Sequence, residues 1–178
     1  MIKLEYLPWM MREAKKKAEA LGEIKNSITK GRGNLAGYLA EIALNRHLGA
    51  KNISCEEGKL KYNHDLEKGE KKIEVKTKRR TVDPEPTFEV SIANTSKHQK
   101  PDVYAFVSIT FKEKRGKGRE ATYHGVEAIW LCGFIEREEY FEKATFIPKG
   151  KLDPSNGFRC WANMHNLPIS ELYDELPD

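Results

Sequence analysis

Residues 71–78 read Lys-Lys-Ile-Glu-Val-Lys-Thr-Lys, an alternation of charged and β-branched side chains around Ile73 and Val75. Period-two alternation is the signature of a half-buried strand, because successive Cβ atoms point to opposite faces. It sends Glu74 and Lys76 out on one face and Ile73 and Val75 onto the other. The tripeptide Glu-x-Lys also occurs at Glu13/Lys15, Glu23/Lys25, Glu57/Lys59 and Glu70/Lys72. Only Glu74/Lys76 flanks a β-branched residue inside an alternating strand, so only this pair is projected together by the backbone.

Upstream, Glu67-Lys68-Gly69-Glu70 reads as a hairpin turn into this strand. Asp65, at the end of the preceding strand, is then brought beside Glu74. Two carboxylates at one place repel unless a cation lies between them. Their oxygens suit Mg²⁺, whose octahedron is completed by waters and substrate phosphate. Further upstream, residues 34–48 form NLAGYLAEIALNRHL, bounded by Asn34 as N-cap and Gly49 as stop. At 100° per residue, Leu35, Leu39 and Ile42 make one apolar face, and Gly37, Leu44 and Leu48 a second. This predicts a helix buried on both sides. Glu41 falls on the second stripe, where an unpaired carboxylate is costly, so it needs a metal, a metal-bound water or a basic partner.

Apolar spacing over residues 4–21 predicts a first helix starting near Pro8 and ended by Gly22. Short strands are expected at 52–55, 60–66 and 88–92, a loop at 81–87 around Pro84 and Pro86, and a short helix or polar loop at 93–100. The run VYAFVSITF (103–111) is a strand with a partner at 121–131, joined by the turn KEKRGKGRE. A short helix is expected at 135–141, and the remainder to residue 178 reads as irregular.

The chain has 178 residues, 31 Lys+Arg against 27 Asp+Glu and a net charge of +4 with neutral histidines. A chain of this length buries roughly 70% of its unfolded surface, enough for a core without disulfides or a structural metal. No repeat or dividing linker is visible, so one domain is expected over residues 1–178: an N-terminal helix at about 4–21, a core at about 33–131 and an irregular segment at about 142–178. Aromatic residues at 10%, with no heptads or low-complexity tract, exclude collagen, coiled coil and a wholly disordered chain. The longest apolar stretch, 128–135, is far below the roughly 20 residues of a membrane-spanning helix. The charged N-terminus MIKLEYLPWMMREAKKK lacks a secretory h-region, which points to the cytoplasm and to no membrane partner. Cys55, Cys132 and Cys160 show no C-x-x-C spacing and read as inert thiols.

The order helix glutamate, aspartate, then Glu-x-Lys on a strand resembles the PD-(D/E)XK nuclease superfamily, the restriction-endonuclease-like fold. The resemblance runs from about residue 33 to 111, through GYLAEIALNRHLG, YNHDLEKGEKKIEVKTK and VYAFVSITF. It implies a mixed α/β fold with a central mixed sheet flanked by helices. It also implies a Mg²⁺-dependent nuclease, with Mn²⁺ able to substitute, that hydrolyses phosphodiester bonds in DNA, RNA being the other possible substrate. An endonuclease is expected, and cutting both strands would most simply use a homodimer. Carried over by position, Asp65, Glu74 and Glu41 hold the metal, and Lys76 orients or activates the attacking water. His64 stands where the family signature has proline. An inactive, nuclease-like nucleic-acid-binding subunit is the alternative.

Basic residues cluster at 76–80, 97–100 and 112–119, while Glu171, Asp174, Glu175 and Asp178 gather near the C-terminus. Thr77, Lys78, Arg79, Lys97, His98 and Lys100 are therefore candidate nucleic-acid contacts. Arg32, in Gly31-Arg32-Gly33-Asn34 before a helix N-terminus, is another. Trp9, Trp130 and Trp161 are scattered and are expected to pack in or near the core, and His47, His124 and His165 are assigned no role.

Overall fold

A computed structural model of the chain describes residues 1–21, 34–53, 64–117 and 121–178. It is a mixed α/β fold built on two sheets. The larger sheet contains β1 (Ile2–Leu4), β2 (Lys51–Asn52), β3 (Leu66–Lys68), β4 (Lys71–Arg80), β6 (Val103–Arg115) and β7 (Thr122–Glu136), in the order β1-β7-β6-β4-β3-β2. Strands β4 and β6 run parallel, and every other pairing in this sheet is antiparallel. The smaller sheet is antiparallel and places β9 (Met164–Pro168) between β5 (Glu89–Ala93) and β8 (Thr145–Ile147).

Helices α1 (Pro8–Leu21) and α2 (Asn34–Leu48) cover one face of the larger sheet. Met10, Ala14, Leu39 and Leu44 pack there with Ile73, Val75, Val103, Ala105 and Val107. On the other face, Tyr104, Phe106 and Ile135 pack with Val90, Ile92 and Leu167 of the smaller sheet and with Tyr140 of α3 (Arg137–Lys143). β6 is a continuous apolar run because both of its faces are buried. β4 contributes only Ile73 and Val75 to the helix-covered core. Its register, Glu74↔Tyr104 and Lys76↔Phe106, puts Glu74 and Lys76 on the face opposite Ile73 and Val75, toward the space between the two sheets.

Both long helices form where the apolar spacing puts them, and Gly49, at a φ of 61°, ends α2 as a left-handed stop. The β3–β4 turn is tighter than expected: Lys68 pairs with Lys71, which leaves only Gly69 and Glu70 as the turn, with Gly69 at a φ of 61°. Of the strand expected at 60–66, residues 60–63 lie outside the described residues, as do Cys55 and Arg32. Three expectations are corrected. The first helix is preceded by a strand, since Ile2 and Leu4 lie opposite Leu131 and Ile129 of β7. Strands β6 and β7 each run on past the lengths expected of them. The C-terminal segment is not all irregular, because β8 and β9 complete the smaller sheet, with β9 at its centre beside β5. These strands are short, and their hydrophobic pattern is completed only by pairing. No helix among the described residues is long and apolar enough to cross a membrane.

Candidate functional site

The acid and lysine of the β4 alternation meet. Lys76 Nζ donates to Glu74 Oε1 at 2.7 Å, with Glu74 buried and Lys76 half-buried. Gln99 closes a triangle: its Nε2 donates to Glu74 Oε1 at 2.9 Å, and its Oε1 accepts from Lys76 Nζ at 2.9 Å. Gln99 follows the 3-10 turn Asn94–Ser96 and is held from α3, where Arg137 donates to the Gln99 carbonyl at 3.1 Å and to the Lys97 carbonyl at 3.2 Å. Asp102 ties the end of this loop to β4 through its carboxylate, which accepts from Lys72 N at 2.8 Å. Sequence reasoning picked out Lys97, His98 and Lys100 and missed Gln99 between them.

Asp65 is fixed by its backbone and by its side chain. Its amide donates to the Ile73 carbonyl at 2.9 Å, and its own carbonyl accepts from Ile53 N at 3.0 Å. Its Oδ2 accepts from Val75 N at 2.8 Å, so the carboxylate takes up a β4 donor just where the β3 ladder stops. Burial, repulsion from Glu74 and repulsion from Glu41 together hold the Asp65 carboxyl well above the usual aspartate range, against the Val75 hydrogen bond and Lys76. Asp65 therefore lies within electrostatic reach of both acids. Glu74 comes from β4, and Glu41 from the buried centre of α2, where it is 7% exposed.

Asp65 lies within electrostatic reach of Glu41, Glu74 and Lys76, yet these side chains do not close a cation cage as they stand. Among the described residues, no three His, Cys, Asp or Glu side chains converge as a metal-holding group. The donor set does suit a hard cation. Glu74 Oε2 is buried without a hydrogen-bond partner among the described residues, and nearby Asp65 is a carboxyl whose charged form is disfavoured by burial and by like charge. His64, which precedes Asp65, is buried, with Nε2 3.0 Å from Glu67 Oε1.

The candidate nucleic-acid contacts divide between the two faces. Lys78 follows Lys76 into the space between the sheets, donating to the Glu89 carbonyl at 2.9 Å and Ser91 Oγ at 3.3 Å. Burial, reinforced by Arg80, lowers its pKa to about 8. Thr77 and Arg79 alternate to the helix-covered side, where the Arg79 guanidinium lies 4.6 Å from the centre of the Tyr123 ring. Lys97, His98 and Lys100 are exposed on the Gln99 loop. Lys97 lies over the Phe141 ring at 5.2 Å, and His98 Nδ1 donates to the Thr95 carbonyl at 2.6 Å.

None of the tryptophans joins the buried core, though Trp130 and Trp161 are half-buried beside it. Trp9 is 38% exposed on α1. Trp130 is half-buried and donates to Asp83 Oδ1 at 2.9 Å. Trp161 lines a cleft with Lys76 and Lys78. Cys132 and Cys160 are buried free thiols, as expected, and burial raises both. No family model, curated protein or solved structure matches this chain.

Proposed function

We propose that this chain is a Mg²⁺-dependent nuclease that hydrolyses phosphodiester bonds in DNA, with a restriction-endonuclease-like core of the PD-(D/E)XK kind. One observation carries the reading: Asp65, held on the β4 backbone, lies in reach of Glu74, Glu41 and Lys76, and burial with repulsion from the two glutamates leaves its carboxylate in need of positive charge. Asp65 and the buried Oε2 of Glu74 are the groups that would hold the cation, with Glu41 holding a metal-bound water or a second ion. The bound cation would neutralise phosphate charge and acidify a water. Lys76, now against Glu74, would orient the attacking water toward phosphorus and stabilise charge there. Gln99 would keep the lysine in place through its bonds to both partners.

A cleavage panel of linear, nicked, branched and single-stranded substrates, with Mg²⁺ and with Mn²⁺, tests this. Metal-dependent products that disappear in EDTA and in Asp65→Asn support it, and full activity in EDTA removes it. One observation favours the second reading, a nucleic-acid-binding subunit that does not cut: Lys76 already neutralises Glu74, as in a structural ion pair. Salt-dependent binding with no product at any metal concentration would select that reading.

A further inference from the structure

Between the two sheets, beside the Glu74–Lys76 pair, lies a cleft of about 290 Å³. Lys76, Lys78, Ser91 and Ser108 give it ammonium and hydroxyl groups, while Phe106 and Trp161 give it aromatic walls. This volume falls at the small end of ligand sites, which run from about 300 to 1,000 Å³. There is room for one planar heterocycle. Trp161 is half-buried and packs edge-on against Phe158, with ring centres 5.4 Å apart, and Phe158 is 50% exposed. The same loop carries Lys149, Lys151 and Arg159, all exposed. Aromatic rings interleaved with cations are the means by which single strands are held, because bases stack on the rings and phosphates follow the charge.

We propose that this cleft receives one unpaired nucleobase flanking the phosphate that is cut, so that the preferred substrate is single-stranded or carries a flap, bulge or gap. This rests on the nuclease reading for the cut itself, though not for the binding. A base in a duplex has both faces stacked and its pairing edge occupied, so it cannot enter. An unpaired one can lie against Trp161, with its carbonyl and ring-nitrogen acceptors toward the Lys78 ammonium and the Ser91 hydroxyl. The apolar walls argue for a base over a bare phosphate, because a base has an apolar face to set against Trp161 and a phosphate has none.

The test couples a change in the protein to a change in the DNA. Binding of labelled oligonucleotides is measured in EDTA, and cleavage with Mg²⁺, for the wild type, Trp161→Ala and Trp161→Phe. The substrates are a single strand, its fully paired duplex, and a set of single strands with one abasic position moved along the chain. The single strand should bind at least about tenfold tighter than the duplex. One abasic position should weaken binding about 5- to 150-fold, the range for loss of one base stack. Trp161→Ala should weaken the intact strand to the same degree and have no further effect on that abasic strand, while Trp161→Phe keeps most of the affinity and shows that the fold is retained.

Equal binding of duplex and single strand, or losses from the variant and the abasic position that simply multiply, would overturn the inference. If products form without this coupling, the cleft proposal fails and the nuclease reading stands. Coupling seen in EDTA with no products in Mg²⁺ leaves the cleft proposal standing and removes the nuclease reading.

Discussion

The Val75 amide donates to Asp65 Oδ2 at 2.8 Å, so the carboxylate that precedes β3 is bonded to the backbone of β4, one residue from both Glu74 and Lys76. The position of Asp65 thus follows from strand register, while its charge is opposed by Glu74 and Glu41. In Asp65→Asn the side-chain carbonyl still accepts from Val75, and the amide no longer repels Glu74. Thermal stability at pH 7 should be unchanged or raised while metal-dependent cleavage is lost, the trade expected of a functional site. A variant that melts well below the wild type would show that the carboxylate charge serves the fold.

Divalent cation should stabilise the folded protein, and more so at higher pH. With its carboxyl raised by burial and repulsion, Asp65 contributes stability that is fully present below the ordinary aspartate range and is lost as pH rises through the raised value. A cation bound by the ionised form offsets that loss by mass action. Melting curves with Mg²⁺ against EDTA should separate at pH 8 and converge as the pH falls toward 4. A Mg²⁺ shift of the same size at both ends would argue against a site built on Asp65.

Lys76 is the countercharge of a buried Glu74, at 2.7 Å. Lys76→Met leaves that carboxylate without its countercharge, with only the Gln99 donor, and should cost about 3 kcal/mol in EDTA, in the range for breaking a buried pair. Saturating Mg²⁺ should recover part of the loss by taking over the neutralisation, while turnover stays low. Urea unfolding with and without the cation reads this, and an identical loss in both would refute a cation role for Glu74.

Lys78 has a pKa lowered to about 8, first by burial and then by Arg80, so the unfolded chain binds its proton more tightly than the folded one. Between about pH 8 and the ordinary lysine value, its contribution makes stability rise with pH. The difference between the wild type and Lys78→Met in urea unfolding should therefore move in favour of the wild type from pH 7.5 to 9.5. DNA affinity of the wild type should fall over the same interval as the ammonium discharges. A pH-independent difference would place Lys78 in open solvent.

Gly133 has a φ of +145°, and a Cβ there would lie 2.7 Å from both Leu172 Cβ and the Tyr173 carbonyl oxygen. This close approach goes with the backbone pairing of Phe134 and Tyr173, whose amides and carbonyls exchange bonds of 2.8 Å. Gly133→Ala should destabilise by about 1–3 kcal/mol through strain and displacement of the 172–173 segment. Chemical denaturation would show it, and an unchanged midpoint would mean that the C-terminal segment yields freely.

What the chain declares by itself are the features set by local periodicity. The spacing of Leu35, Leu39 and Ile42 fixes a helix with Glu41 inside it, and the alternation around Val75 puts Glu74 and Lys76 on one face, because both depend only on side-chain direction along a regular backbone. Asp65 beside β4 was legible through the turn at Gly69. Tertiary structure alone decided that Gln99, 23 residues beyond Lys76, bridges the pair, and that Trp161 stands in a cleft with Lys78. Both depend on packing the smaller sheet and the Gln99 loop against β4, contacts between distant segments that leave no period in the sequence. β8 and β9 were missed for the same reason, since their buried face exists only once β9 lies between β5 and β8.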